Sequence, residues 1–200
     1  MPAIHLYGNP IGSIGCIYLL AVVFTKQSER FPGKHSYLVG GRPLIDLELE
    51  RILGTAGIGR ALIFSRQPLV TSGLCETIAD TSCGTIAHSL LHAINTFGEL
   101  FAFAGDMPCV SPEIIGGMIS MSDGETVVPV HANGLLEPLH SIYTERSART
   151  LEKNIASGRL SLNFLISRIP HRNFAIREEF EGAFMNVNRP EDLSSFSGCP

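Results

Sequence analysis

The sequence holds no apolar run long enough to cross a bilayer as a helix, which takes about 20 residues. Its best candidate, Ile14 to Phe24, is much shorter and contains Gly15. It also lacks the basic front end of a secretory signal. There is no Lys/Arg-dense stripe. With 15 basic against 19 acidic residues the net charge is −4, so bulk electrostatic binding to nucleic acid is disfavoured and any phosphate binding must be local. The five cysteines, Cys16, Cys75, Cys83, Cys109 and Cys199, form no C-x-x-C pair and are odd in number. That argues against a disulfide framework and for reduced thiols in a cytoplasmic protein, with Cys109 as a buried thiol. The phosphate-binding pattern G-x-x-x-x-G-K-[ST] is missing, and His88 and His92, four residues apart, lack the Glu of H-E-x-x-H. No repeat, low-complexity segment or linker appears.

What is present suits a globular fold: 200 residues, 44% hydrophobic and 17% charged. One domain is expected over residues 14–200, preceded by a Gly- and Pro-bearing leader over 1–13. Ile17 to Phe24 is continuously apolar, as in a strand covered on both faces of a parallel sheet. Thr25 to Gly41 reads as a long loop, and Pro43 to Leu53 has helical spacing. Ala61 to Phe64, Thr77 to Ala79 and Leu100 to Ala104 read as strands, with a helix over Gly84 to Phe97. Ser111 and Pro112 carry the start signal of another helix. The alternation predicts an α/β fold of three layers, α/β/α, around a mostly parallel sheet. In the second half, Thr126 to His131 and Leu136 to Tyr143 flank the turn Ala132-Asn133-Gly134. Helices follow over Glu145 to Ser157 and near Leu162 to Ser167. Asn173 to Ile176 and Phe184 to Val187 read as late strands, and Pro190 opens a terminal helix.

Three clusters carry candidate chemistry, each at the carboxyl end of an expected strand, where ligands of open α/β sheets bind. The loop Thr25-Lys26-Gln27-Ser28-Glu29-Arg30-Phe31-Pro32-Gly33-Lys34 offers three cations, hydroxyls and a glycine to a triphosphate. As a bare pattern it is equally a solvated basic loop. Asp106 follows a buried strand, where a single carboxylate suits Mg²⁺ completed by phosphate and water, or simply caps a turn. Asp80 precedes Ser82-Cys83-Gly84, whose glycine lets a helix N-terminus approach a ligand; alone it reads as a turn residue. Asn186 and Asn188 alternate and can present two amides on one face.

In order along the chain, these segments resemble the MobA-type molybdenum cofactor guanylyltransferases, within the glycosyltransferase-A-like nucleotidyltransferases. The pieces are Gly105-Asp106-Met107-Pro108-Cys109-Val110-Ser111-Pro112-Glu113 and Phe184-Met185-Asn186-Val187-Asn188-Arg189-Pro190-Glu191-Asp192-Leu193. Gly41-Arg42-Pro43-Leu44-Ile45 and Glu137-Pro138-Leu139-His140-Ser141-Ile142-Tyr143 add support. The resemblance implies a magnesium-dependent transfer of GMP from GTP to a molybdopterin-type phosphorylated cofactor, releasing pyrophosphate. It implies Lys34 and Arg30 as catalytic cations on the phosphates and Asp106 as the Mg²⁺ ligand. Asp80 resembles the family's nucleotide-contacting carboxylate, and Asn186 and Asn188 match its acceptor-side asparagines. Beside the resemblance, Thr25, Lys26, Ser28 and Gly33 of the loop, with Ser65 and Gly84, are expected to join Lys34 in binding nucleotide. Neither nucleic acid nor membrane is an expected partner; a monomer or small homo-oligomer is.

The chain also departs from the family. Where the family opens its loop with L-A-G-G, this sequence has Val23-Phe24-Thr25-Lys26, and Gly84-Thr85 replaces Gly-Pro. Ser28-Glu29-Arg30-Phe31-Pro32-Gly33-Lys34 resembles the S-x-R-x-P-G-K of CMP-sugar synthetases. A transferase using CTP or another triphosphate on a different acceptor therefore stays open. So does a catalytically silent binder of nucleotide or cofactor.

Overall fold

The structure, a computed structural model, describes residues 18–193; the expected leader over 1–13 lies outside the described residues. Strand β1 (Leu19–Thr25) is apolar throughout because both its faces are covered: Ala21, Val22 and Val23 are fully buried. The polar segment after it forms a 3-10 turn (Lys34–Ser36) and a small hairpin of β2 (Leu38–Val39) and β3 (Arg42–Pro43). Then come α1 (Leu44–Leu53), β4 (Ile58–Ser65), β5 (Glu76–Ala79), α2 (Ile86–Phe97), β6 (Leu100–Ala104) and α3 (Pro112–Ser122). The second half comprises β7 (Val127–Val130), β8 (His140–Tyr143), α4 (Glu145–Ala156), α5 (Leu162–Ile166), β9 (Arg172–Ala175) and a 3-10 helix (Glu178–Phe184).

Seven strands form one sheet in the order β5-β4-β1-β6-β8-β7-β9. All its pairings are parallel except those of β8, which runs against both β6 and β7. The reversal comes from the Ala132-Asn133-Gly134 turn, where Gly134 takes φ 82° and Asn133 Oδ1 accepts from Leu135 N–H at 2.9 Å.

Alternation along each strand builds two cores. Ala21, Val23, Ile63, Phe101 and Phe103 meet α1 and α3 through Ile45, Leu49, Ile115 and Met118. Val22, Phe24, Leu62, Phe64 and Ala102 meet α2, α4 and α5 through Leu90, Ile94, Leu151 and Leu165. This is the expected three-layer arrangement. The helix start signals also hold: Ser111 Oγ accepts from Ile114 N–H at 3.5 Å, with Pro112 in the first turn.

Several local expectations are corrected. Phe184 to Val187 is no strand, because its backbone groups are used elsewhere. Val187 N–H donates to Asp106 O at 2.8 Å and Val187 O accepts from Lys34 Nζ at 3.0 Å, which leaves no ladder partner to pair with. The expected strand Leu136 to Tyr143 pairs continuously only from His140, with a lone bridge Leu136–Val130, since Pro138 lacks an N–H. Of the expected terminal helix from Pro190, the part within the described residues, 190–193, is a 3-10 turn, and the remainder lies outside the described residues. Cys109, expected as a buried thiol, is disulfide-bonded, while Cys75 and Cys83 are free. Cysteines pair when their Cα atoms come within about 7 Å in space, a distance spacing along the chain does not encode.

Candidate active site

The loop after β1 returns to the sheet through one tight turn. Ser28 Oγ accepts from Phe31 N–H at 3.2 Å, and Gly33 takes φ 71°, a left-handed conformation that favours glycine. The 3-10 turn that follows aims Lys34 and His35 inward, and both are 5% exposed. Lys34 Nζ forms an ion pair with Asp106 Oδ2 and donates to Val187 O at 3.0 Å. Residues 34, 106 and 187, remote in sequence, thus meet at one ammonium.

Asp106 is placed by Gly105, whose N–H donates to Phe24 O at 2.9 Å. A Cβ at Gly105 would lie 3.0 Å from Thr25 Cγ2 and 3.2 Å from Phe24 O, so a larger residue would crowd the corner where β6 leaves the sheet beside β1. His35 fastens the same corner. Its Nδ1 is 2.6 Å from Gly105 O and its Nε2 3.2 Å from Lys26 O. Burial lowers its pKa, while the two backbone carbonyls raise it less. Beneath them lies Glu48 of α1, fully buried with neither carboxyl oxygen hydrogen-bonded. Burial and then the Asp106 charge push its pKa well up, against the Met107 backbone and Lys34. Neither residue carries a sequence signal: a lone His after a lysine and a Glu inside a helix are both ordinary surface patterns.

These groups open onto a cavity of about 710 Å³. Lys26, Ser28, Arg30, Lys34, Asp106, Asn186 and Asn188 line it, together with Glu137. Although the segment bearing them is not a strand, Asn186 and Asn188 are exposed while Val187 between them is buried, so both amides still reach the cavity. Asp192 Oδ2 holds this segment by accepting from Asn188 N–H at 2.8 Å and Arg189 N–H at 2.9 Å.

Thr25, Gly33, Ser65, Asp80 and Gly84 are not part of the lining. Thr25 packs on Gly105, and Ser65 Oγ donates to Gln67 O at 2.7 Å. Asp80 anchors a network instead. It accepts from Arg66 Nε at 3.0 Å, Ser89 Oγ at 2.6 Å and Ser82 N–H at 2.9 Å, with His92 Nδ1 at 3.1 Å. Burial by itself raises the Asp80 carboxyl pKa, but the Ser89, Ser82 and His92 hydrogen bonds outweigh it and hold the pKa far below the carboxylate range. Arg66 also donates to Gly84 O at 2.7 Å, and Gly84, at φ 115°, leaves no room for a Cβ beside the His88 ring. His88 caps α2, its Nδ1 accepting from Thr85 N–H at 3.2 Å. Both histidines are therefore engaged structurally, and among the described residues no cluster of three His, Cys, Asp or Glu could hold a metal. Arg66→Ala is expected to cost about 1–3 kcal/mol in chemical denaturation, because Asp80 keeps its other donors; unchanged stability would show the network to be idle.

A family model, the MobA-like NTP transferase domain, matches residues 27–171. The chain belongs to this family. Among curated relatives of this MobA-like chain, the probable molybdenum cofactor guanylyltransferase of Thermococcus gammatolerans is 30% identical over 187 residues, spanning 86% of this chain and 95% of its own length. That of Pyrococcus horikoshii is 31% identical over 187 residues, spanning 88% and 96%. The crystal structure of molybdopterin-guanine dinucleotide biosynthesis protein A from Archaeoglobus fulgidus superposes with TM-score 0.68 at 21% identity, covering 88% of this chain and 95% of that one. At that identity it shows the shared fold. The MobA-like chain is a nucleotidyltransferase built on a glycosyltransferase-A-like sheet.

Proposed function

We propose that the chain transfers GMP from GTP to a molybdopterin-type phosphorylated cofactor, with release of pyrophosphate. The observation that carries the reading is the meeting of Lys34, Asp106 and the Asn186–Asn188 segment in one cavity that also admits Arg30 and Lys26. Relatives whose names state this activity, matched over most of their length, support the choice of substrates.

The residues fit a magnesium ion that arrives with the nucleotide. Asp106 Oδ2 pairs with Lys34, while Oδ1 has no hydrogen bond among the described residues and the side chain is 20% exposed. One open carboxylate beside a phosphate site matches the habits of magnesium, which binds through one or two carboxylates plus phosphates and water. Bound there, the ion would neutralise charge on the triphosphate. Lys34 has three donors, of which Asp106 and Val187 O use two, so one remains for a phosphate oxygen. Arg30 and Lys26 add solvent-exposed cations from the same loop. Asn186 and Asn188 orient the acceptor, whose terminal phosphate attacks the nucleotide α-phosphate in line. A phosphate nucleophile is already ionised at neutral pH, so no general base is needed, and catalysis is positioning plus charge stabilisation.

The test is parallel incubation with GTP, CTP, ATP and UTP and magnesium, read by thermal shift and by pyrophosphate release with molybdopterin. GTP is expected to protect best, by about 2.7 kcal/mol at 100 times its Kd, and to support turnover. Preference for CTP would replace the base assignment, and nucleotide protection without pyrophosphate release would favour a silent binder.

A further inference from the structure

The loop after β1 brings Lys26, Glu29, Arg30 and Lys34 to the cavity on one side of β6 and Asp106, and Glu137 reaches it from the other, just before β8. Glu137 is fixed by its backbone: its N–H donates to Pro129 O at 3.0 Å, and its carbonyl accepts from His140 N–H at 3.1 Å and Ser141 Oγ at 2.7 Å. Its side chain is clamped too. Glu137 Oε1 lies 2.8 Å from His131 Nε2, and His131 Nδ1 lies 2.5 Å from Glu181 Oε2. Burial alone would lower the His131 pKa, but the hydrogen bonds to Glu137 and Glu181 outweigh it and raise it, which favours the charged form. Glu137 Oε2 has no hydrogen bond among the described residues, on a residue that lines the cavity. Burial first, then the Glu181 and Asp106 charges, raise the Glu137 pKa against the pull of His131, and three carboxylates gathered here make a poor place for a phosphate. It is a good place for N–H donors.

We propose that Glu137 selects the acceptor, its carboxylate accepting the ring N–H and exocyclic amino group of a 2-amino-4-oxopyrimidine edge, as a pterin presents. This rests on the reading above, in which the acceptor is a pterin bearing a phosphate. The His131–Glu181 clamp holds the carboxylate ready, so little ordering is left to the binding step. Guanine carries the same edge, and the sheet order separates the two sources. The loop that brings Lys26, Ser28 and Arg30 to the cavity follows β1, on one side of β6, whereas Glu137 leads into β8 on the opposite side. Glu137 therefore faces the acceptor half.

The experiment measures binding of 6-hydroxymethylpterin phosphate and its 2-oxo counterpart to the full chain loaded with magnesium and a non-reacting GTP analogue. Wild type is expected to prefer the amino compound by about 10- to 100-fold, the worth of a charged hydrogen bond. In Glu137→Gln that preference disappears while the 2-oxo compound binds unchanged. The difference in thermal protection between GTP and ITP, which lacks the guanine amino group, is expected to be the same in both proteins. A Glu137→Gln variant that keeps the wild-type preference overturns the assignment and leaves the acceptor reading standing. A GTP/ITP difference that collapses in the variant moves Glu137 to the base and overturns it as well. Failure of wild type to bind the pterin overturns both readings together. Should Glu137→Gln lose nucleotide protection altogether, His131→Gln is read instead: a preference reduced severalfold supports the clamp, and an unchanged one overturns it.

Discussion

Asp106→Asn is expected to lower pyrophosphate release about a thousandfold, the scale of removing one preorganised charge from a reacting centre. The substitution keeps shape and an oxygen that can accept from Lys34, but it deletes the carboxylate that Lys34, 5% exposed, pairs with. The buried ammonium then lacks a counter-charge. A stability loss of about 1–3 kcal/mol is therefore expected, smaller than for alanine, because the amide oxygen still accepts a hydrogen bond. Steady-state kinetics at saturating nucleotide should place the loss in kcat, since a group acting on charge that builds in the transition state contributes most there. Wild-type turnover in this variant would remove Asp106 from the mechanism.

The second large effect concerns acid stability and arises at His140. This residue is fully buried, neither ring nitrogen has a hydrogen-bond partner, and the rings of Phe101, Phe103 and Phe184 lie 5.8, 5.1 and 4.9 Å away. Burial pushes its pKa down to about 3 from the ordinary 6.5. Above pH 6.5 the side chain is neutral in folded and unfolded chains alike and contributes no pH dependence. Below it, the unfolded chain takes a proton that the folded one refuses, so stability falls by about 1.4 kcal/mol per pH unit until the folded pKa is reached. By pH 5 the cost is about 2 kcal/mol. His140→Leu removes both orphaned nitrogens at similar volume. Its stability advantage over wild type is expected to widen by about 2 kcal/mol between pH 7 and pH 5 in urea denaturation. Comparing the two proteins at each pH isolates this residue from Glu48 and Asp80, which titrate in both. An advantage constant with pH would show that the buried ring accepts a proton freely.

The legible part of the fold was the part written in periodicity. Continuous apolar runs marked β1, β4 and β6 because those strands are covered on two faces, and Ser111-Pro112 marked α3 because a cap is a local event. Phe184 to Val187 misled because Phe184 and Val187 are buried as strand residues are, while the backbone partners are Asp106 O and the Lys34 ammonium. For the site, the loop cations, Asp106 and the two asparagines were legible and share a cavity. Asp80 and Gly84 were equally legible as a strand-end carboxylate and a turn glycine, yet Arg66, Ser89 and His92 tie Asp80 into the scaffold outside that cavity.

Residue order alone determined the α/β alternation, the helix starts, the reversing turn at Asn133-Gly134 and the identity of the cations and carboxylates available for chemistry. Each depends on interactions within a few residues, so each is readable from neighbours. Only the tertiary structure decided which groups meet. It set Lys34 against Asp106 and Val187 O, buried Glu48 behind them, enclosed His140 among three aromatic rings and clamped Glu137 on His131. Those encounters join parts of the chain that are distant in sequence, and their energies come from burial and charge proximity, which no local pattern encodes.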